Sequence, residues 1–188
     1  MENRVVIAGA GHAAGQVVVT LKQKKFEGEI LLVGEEPYLP YQRPPLSKKF
    51  LAGELPIERL YFKPASFYAG GNLRPRLDSR IESVDRDGHC IVLKGGNRVD
   101  YGRLVLAVGA RVRRLSLPGA ELPGVHYLRT VDDVLALQRD LAPDRRIVIV
   151  GAGYIGLEVA AVTCQLGLDV TVVEMEERVM SRVVSAQV

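Results

Sequence analysis

The sequence predicts an α/β protein with two Rossmann-like βαβ dinucleotide-binding units and a small antiparallel β meander. Two observations carry this prediction: a glycine fingerprint follows an apolar run near the N-terminus, and a second fingerprint follows another apolar run near residue 150. In both places a helix-length segment, a further apolar run and an acidic residue come next, as in a dinucleotide-binding βαβ unit. A lone fingerprint is a weak signal, but its full context twice in one chain indicates two dinucleotide sites.

The first βαβ unit opens the chain. Val5–Ala8 is apolar and mostly β-branched, as a buried parallel strand requires. Gly9, Gly11 and Ala14 form G-x-G-x-x-A, which permits a tight turn, a close approach to a pyrophosphate and close packing of the helix on the strand. The free N–H groups at the helix N-terminus attract phosphate. Glu35 follows the second apolar run, where a carboxylate can accept hydrogen bonds from ribose hydroxyls.

A proline-rich segment follows the first unit, whose helix is expected over about residues 11–25. Pro44 and Pro45 can begin another helix, because proline is tolerated in the first turn. Ser47 and the basic residues Arg43 and Lys48 would then lie at or near the start of that helix.

Short strands and turns are predicted between about residues 60 and 101, because apolar positions alternate there with Gly, Asn and Asp turn signals. We interpret this stretch as an antiparallel meander inserted in the α/β domain. Another buried strand is expected at 104–108. A connection rich in arginine, proline and glycine follows, so the sequence places the domain boundary there, with a first domain over 1–110 and a second over 111–188.

The second βαβ unit repeats the first after a short helix. Thr130–Asp133 is typical of a capping box, with aspartate in place of glutamate. After the next apolar run, Gly151, Gly153 and Gly156 complete G-x-G-x-x-G. Glu174 ends the following strand, where a carboxylate binds ribose hydroxyls and disfavours a 2′-phosphate.

The composition is that of an ordinary globular protein, with 47% hydrophobic and 25% charged residues and a net charge of +3. Cys90 and Cys164 lie far apart in apolar surroundings, so we expect buried thiols in a reducing compartment. The stretch 147–164 resembles a membrane span, but Glu158 in its middle and the fingerprint favour a strand and a buried helix. Because Glu2 comes early, we expect a cytoplasmic start rather than a signal peptide.

Several chemistries lack their motifs in this chain. No C-x-x-C follows the first fingerprint and no cysteine lies between residues 35 and 55, which disfavours a disulfide relay and a redox-cysteine oxidase. Neither G-x-S-x-G nor G-x-x-x-x-G-K occurs, which disfavours acyl transfer and nucleotide hydrolysis. The three histidines show no metal-ligand spacing, so no metal is expected.

Three further motifs are specific: RPPLSK at 43–48, YLRT at 127–130 and GAGYIGLEVA at 151–160. With these motifs the chain resembles the FAD-dependent, NADH-oxidising ferredoxin reductases of bacterial oxygenase and cytochrome P450 systems, and the resemblance covers essentially all 188 residues. It implies a flavoprotein oxidoreductase that transfers electrons from NADH through FAD to a ferredoxin-type iron–sulfur protein. Family members are considerably longer and carry a later Gly-Asp motif that is absent here, so we expect a truncated chain that lacks the C-terminal portion of the fold.

The resemblance also implies the site residues. The implied FAD-binding positions are Gly9, Gly11, His12, Ala13, Ala14, Glu35, Arg43, Lys48, Ile81, Ala107, Gly109 and Arg129. The implied NADH-binding positions are Gly151, Gly153, Tyr154, Ile155, Gly156, Glu158 and Glu174. Lys48 and Glu158 are the implied catalytic pair: the lysine ammonium lies beside the flavin ring and stabilises negative charge on it, and the carboxylate holds the lysine and reaches toward the nicotinamide.

Two other interpretations stay open at this point. One is a nucleotide-binding fragment that holds FAD or NAD without turnover. The other is a related FAD- and NAD-dependent oxidoreductase with a different electron acceptor. None of the three interpretations involves nucleic acid or a membrane.

Overall fold

The computed structural model describes residues 3–185 and residue 187, and the chain divides into two compact units. The first unit comprises Met1–Gln42 and Leu60–Ala110, and the second comprises Arg43–Arg59 and Arg111–Val188. The sequence-based division placed 43–59 in the first domain, whereas the structure groups this segment with the second unit.

The described residues of the first unit form two sheets and two helices. In chain order its elements are β1 (Arg4–Ala8), α1 (His12–Gln23), β2 (Glu29–Val33), α2 (Ala65–Tyr68), β3 (Leu73–Arg76), β4 (Ile81–Asp85), β5 (Cys90–Leu93), β6 (Arg98–Asp100) and β7 (Arg103–Leu106). The predicted first strand and first helix are confirmed to within two residues.

The central sheet of the first unit is parallel, with strand order β3-β2-β1-β7. Val5 and Ile7 of β1 point to one face and pack with Val18 of α1, whereas Val6 points to the other face and packs with Ile91 of β5. Both faces are therefore covered, one by helices and one by the antiparallel sheet β4-β5-β6. This double burial explains why β1 is a nearly continuous apolar run.

The strand β3 was expected in the meander but belongs to the parallel sheet, where Leu73 pairs with Ile30. The side-chain amide of Asn72 donates to the carbonyls of Phe26 and Gly28, at 2.6 and 2.5 Å, and so fixes the start of β3 beside the start of β2. Leu73 is then buried against the helical face of the sheet. The meander is confirmed for 81–100 alone.

The second unit is built around one βαβ element. Its elements are two 3₁₀ turns (Pro44–Ser47 and Ile57–Arg59), α3 (Val131–Asp140), β8 (Arg146–Val150), α4 (Tyr154–Gln165) and β9 (Asp169–Val173). Strands β8 and β9 pair in parallel and α4 packs against both. The helix start predicted at the two prolines is confirmed as a single 3₁₀ turn.

The segment 43–59 belongs to this unit because its first turn contacts α3 and α4. The side-chain amide of Gln138 on α3 donates to the carbonyls of Phe50 and Leu51, at 2.7 and 3.2 Å. These partners lie 87 and 88 residues away along the chain, a distance at which sequence spacing carries no information.

The apolar stretch 147–164 carries two predictions from the sequence: a buried thiol at Cys164, and a strand and helix in place of a membrane span. Cys164 is exposed, contrary to the expected buried thiol, because α4 turns Val159, Val162 and Thr163 inward and Cys164 outward; Cys90 is buried as expected. Within the described residues, none of the helices is long and apolar enough to cross a membrane.

Candidate functional site

The first fingerprint forms the turn between β1 and α1. Gly9 has φ +111°, and its amide donates to the carbonyl of Val33 at 2.8 Å. A Cβ on Gly9 would collide with the carbonyl oxygen of Ala107, so the chain's own packing requires this glycine. Gly11 caps α1, and a Cβ there would meet nothing within 4 Å. The space beside Gly11 is therefore open at a helix N-terminus, which suits a phosphate.

Glu35 lies at the rim of a cleft of about 690 Å³ in the first unit. Its Oε1 is 2.7 Å from Nη1 of Arg80, and both side chains are partly exposed. The other residues that line this cleft are Arg76, Asp78, Ser79, Leu93, Lys94 and Gly95. The pair Glu35–Arg80 was not expected from the sequence, because Glu35 follows β2 and Arg80 precedes β4, and these strands belong to different sheets.

The remaining predicted FAD-binding positions of the first unit lie around the fingerprint or on the meander. His12 packs edge-on against Phe62, with ring centroids 4.6 Å apart, and both line a second cleft of about 480 Å³ together with Ala13. Ala14 lies on α1 and is fully buried against the parallel sheet. The amide of Ala107 donates to the carbonyl of Ala8 at 2.8 Å, and Gly109 has φ +68°. Ile81 is half-buried on the antiparallel sheet.

The second fingerprint repeats the first in its hydrogen bonds. The amide of Gly151, at φ +103°, donates to the carbonyl of Val173 at 2.8 Å, and Gly153 caps α4 with open space around its Cα. A Cβ on Gly156 would collide with the carbonyl oxygen of Gly151, so α4 approaches the turn more closely than α1 does. Tyr154 and Ile155 are exposed in the first turn of α4.

Glu174 is held against the second fingerprint by backbone N–H groups. Its Oε2 accepts from Ala152 at 2.7 Å, and its Oε1 accepts from Met175 at 2.7 Å and from Glu176 at 3.1 Å. These hydrogen bonds, above all the one from Ala152, hold the pKa of Glu174 below its ordinary value. The carboxylate is therefore ionised and fixed at the predicted ribose position.

Lys48 and Glu158 meet within the second unit. Lys48 Nζ is 2.7 Å from Glu158 Oε1, and the hydroxyl of Ser47 donates to Glu158 Oε2 at 2.5 Å. Partial burial works against ionisation of Glu158, but the hydrogen bonds from Lys48 and Ser47 outweigh it and keep the pKa below its ordinary value. Ser47 directly precedes the predicted lysine, but no role for its hydroxyl was expected from the sequence.

Arg43 and Arg129 also meet, with the guanidinium of Arg43 donating to the carbonyl of Arg129 at 2.6 Å. The amides of Arg129 and Thr130 donate to the carboxylate of Asp133, and the Asp133 amide donates back to Thr130 Oγ1 at 3.2 Å. The predicted capping box is thus confirmed. No three metal-ligating side chains come together in the part of the chain that the structure describes.

Comparison with known proteins places the whole chain in one group. The family model for pyridine nucleotide-disulphide oxidoreductases matches residues 3–188. The chain is 45% identical to a ferredoxin–NAD(P)⁺ reductase of a Sphingomonas species over 95% of its own length. Among solved structures, it superposes on the ferredoxin reductase for the CYP199A2 system of Rhodopseudomonas palustris with a TM-score of 0.92 and 45% identity over 98% of the chain.

A third similar protein is seen with a partner. In the structure of a covalent putidaredoxin reductase–putidaredoxin complex, the matching chain is 37% identical with a TM-score of 0.87 over 97% of this chain. The chain spans less than half the length of all three: 43% of the Sphingomonas protein, 46% of the Rhodopseudomonas chain and 44% of the chain in the complex.

Proposed function

Since this chain belongs to the pyridine nucleotide-disulphide oxidoreductase family, we propose that it binds FAD at the first fingerprint and NADH at the second. The whole protein would act as an NADH-dependent ferredoxin reductase, passing electrons through FAD to a ferredoxin-type iron–sulfur protein that serves an oxygenase or cytochrome P450. The expected cytoplasmic location stays a prediction.

The observation that best supports two dinucleotide sites is the open space at the middle glycine of each fingerprint. Gly9 and Gly156 are glycines because the protein's own backbone leaves no room for a side chain, but Gly11 and Gly153 have no such neighbour. A glycine that internal packing does not demand, at the N-terminus of a twelve-residue helix, fits a pyrophosphate that passes close to the backbone.

We propose that the adenosine end of each cofactor reaches one carboxylate, Glu35 for FAD and Glu174 for NADH. Glu35 borders the cleft of the first unit, and Glu174 is fixed beside the second fingerprint. Both carboxylates can accept hydrogen bonds from ribose hydroxyls. The resemblance adds Ile81 as an adenine contact, and Arg43, Ala107, Gly109 and Arg129 as further FAD contacts, as predictions.

When bound, FAD supplies the hydride-accepting and electron-transferring chemistry. We propose that Lys48 and Glu158 are the residues of this chain that support that chemistry. Glu158 is held ionised by two donors, and its charge keeps the ammonium of Lys48 in place. An ammonium fixed in this way stabilises negative charge that develops near it.

We propose the electron acceptor, a ferredoxin-type protein, from the names of the similar proteins. Two of the three similar proteins are named ferredoxin reductases, and the third is seen in complex with putidaredoxin. A related flavoprotein with another acceptor, or a nucleotide-binding fragment without turnover, would share both fingerprints, so the acceptor has to be tested directly.

The test combines flavin content with turnover in the whole protein. We expect a yellow protein that retains FAD through gel filtration and reduces an added ferredoxin with NADH. Lys48→Ala should slow flavin reduction in stopped flow while FAD occupancy changes less, and Lys49→Ala is the matched control because its side chain is exposed and next in sequence. A protein without flavin would contradict the proposed function. Equal reduction rates in Lys48→Ala and wild type would contradict the role of the pair.

A further inference from the structure

The segment that carries Lys48 is tied to α4 through a buried hydroxyl. Ser47 is 4% exposed and is one of two buried serine or threonine side chains in the described part of the chain, the other being Thr163. Thr163 donates to a carbonyl of its own helix, but the partner of Ser47 is a carboxylate 111 residues away. We propose that Ser47 is a positioning residue that holds Glu158 in the orientation required for its pairing with Lys48. This inference rests on the proposed function of that pair.

Each oxygen of the Glu158 carboxylate has its own donor. Oε2 accepts from the Ser47 hydroxyl at 2.5 Å, and Oε1 is paired with the Lys48 ammonium at 2.7 Å. The two donors are consecutive residues at the end of a 3₁₀ turn. Because Ser47 takes one oxygen, the other is presented to Lys48.

The serine is the better anchored of the two donors. The side chain of Lys48 is 49% exposed, and its Nζ also lies 3.3 Å from the carbonyl of Pro44. A long, half-solvated lysine has many rotamers of similar energy, whereas a buried serine has one short side chain. The 3₁₀ turn adds rigidity, because Pro45 fixes its backbone and accepts a hydrogen bond from the Lys48 amide at 3.0 Å. Ser47 therefore defines where the carboxylate lies.

Glu158 lies in the second turn of the helix that begins at the second fingerprint. Gly153 caps this helix, so the contact between Ser47 and Glu158 ties the turn that carries Lys48 to the element that would bind NADH. Any hydroxyl that donates to this carboxylate lowers the pKa of Glu158, because the hydrogen bond favours the charged form. Removal of a hydroxyl that only docks the segment 43–59 would leave the pH profile for flavin reduction unchanged, whereas removal of a positioning hydroxyl must shift that profile.

The experiment compares wild type with Ser47→Ala and Ser47→Thr in protein carrying ¹³C-labelled glutamate. The Glu158 carboxyl signal is identified as the one that disappears in Glu158→Gln. Loss of a hydrogen bond to a charged group should raise the pKa of Glu158 by about 1 in Ser47→Ala. Ser47→Thr keeps the hydroxyl and should return the pKa to the wild-type value. In the whole protein, the acidic limb of the pH profile for flavin reduction should move to higher pH in Ser47→Ala by the same amount.

The possible outcomes separate this inference from the proposed function. An unchanged pKa and pH profile in Ser47→Ala, with flavin reduction impaired in Glu158→Gln, would overturn the role of Ser47 alone. Normal flavin reduction in Glu158→Gln would overturn the proposed role of the pair as well. If Ser47→Ala does not fold, Ser47→Cys provides the same test, since its weaker donor must give a pKa between those of wild type and a carboxyl without the donor.

Discussion

The two βαβ units share a local geometry but differ in what surrounds it. Both have five-residue strands, a twelve-residue helix capped by glycine, and a first glycine whose amide donates to the last residue of the neighbouring strand at 2.8 Å. In the first unit, however, β1 lies inside a sheet covered on both faces. In the second, β8 and β9 form a two-stranded sheet on which Val148, Val150 and Val173 are exposed. The fingerprint turn is thus set by nearby residues and not by the extent of the core.

The acidic residues also differ. Glu174 comes directly after the last paired residue of β9, whereas Glu35 comes two residues after the last paired residue of β2. The position that corresponds to Glu174 is Gly34, and a Cβ there would lie 2.6 Å from Cβ of Ala10. The first unit therefore has its acid one residue later, where the side chain of Arg80 holds it instead of a backbone N–H.

The largest expected effect distinguishes the third positions of the two fingerprints. In Gly156→Ala the new Cβ collides with a backbone carbonyl that cannot move without opening the turn, so the free energy of unfolding should fall by about 3 kcal/mol or more. Ala14→Gly, the opposite exchange in the first unit, should cost only about 1 kcal/mol. Urea unfolding of both variants checks the difference, and a smaller loss in Gly156→Ala than in Ala14→Gly would contradict it.

The next effect concerns the closed core of the first unit. Tyr68 is buried there, its hydroxyl has no hydrogen-bond partner in the described part of the chain, and burial raises its pKa to about 12. The native state keeps this proton where the unfolded chain releases it, so stability that is present below pH 10 should be lost between pH 10 and 12, by about 2–3 kcal/mol.

Tyr68→Phe removes the unpaired hydroxyl without emptying the site. We expect it to stabilise the protein by about 1 kcal/mol at pH 8 and to remove most of the loss seen between pH 10 and 12. Urea unfolding at pH 8 and pH 11 measures both effects. A variant with the same alkaline loss as wild type would show that another group is responsible.

A third effect tests the acid of the second unit through cofactor choice. A 2′-phosphate at Glu174 would meet an ionised carboxylate, and the nearest following arginine, Arg178, donates to the carbonyl of Val184 at 2.8 Å. We therefore expect kcat/KM for NADH to exceed that for NADPH at least tenfold, equivalent to about 1.4 kcal/mol. Glu174→Gln should reduce the ratio of kcat/KM for NADH to kcat/KM for NADPH, and Glu177→Gln serves as the control. Equal kcat/KM values in wild type would refute this role of Glu174.

The smallest effect tests the acid of the first unit. Arg80→Gln removes an exposed ion pair with Glu35, so the affinity for FAD should fall by about two- to fivefold. The affinity for FMN, which has no adenosine, should not change, and Arg76→Gln serves as the control in the same cleft. Equal losses for FAD and FMN would mean that Arg80 acts elsewhere.

The parts of the fold that the sequence predicted well are those set by neighbours in the chain. The strands and helices of both fingerprints and the capping box at Thr130 depend on residues only a few positions apart. Such spacing is visible in a single sequence because each pattern matches a fixed backbone geometry.

The features that sequence reasoning missed depend on distant partners. Strand β3 joins the parallel sheet through Asn72, whose side-chain partners lie 44 and 46 residues away, and 43–59 joins the second unit through α3 and α4. The proposed role of Ser47 depends on its hydrogen bond to Glu158, 111 residues away. No local pattern encodes these contacts, since they follow from packing.

The central claim, that the two fingerprints bind different dinucleotides, is tested most directly by crossed binding measurements on the whole protein. Gly11→Val and Gly153→Val each place a side chain in open space, so both variants should fold, at a cost of about 1 kcal/mol for the lost glycine cap. Calorimetric titration should show that Gly11→Val loses at least about 100-fold in FAD affinity, equivalent to about 2.7 kcal/mol, and binds NADH as wild type does. Gly153→Val should show the reverse. Wild-type FAD affinity in Gly11→Val, or loss of NADH and not FAD in that variant, would contradict the assignment.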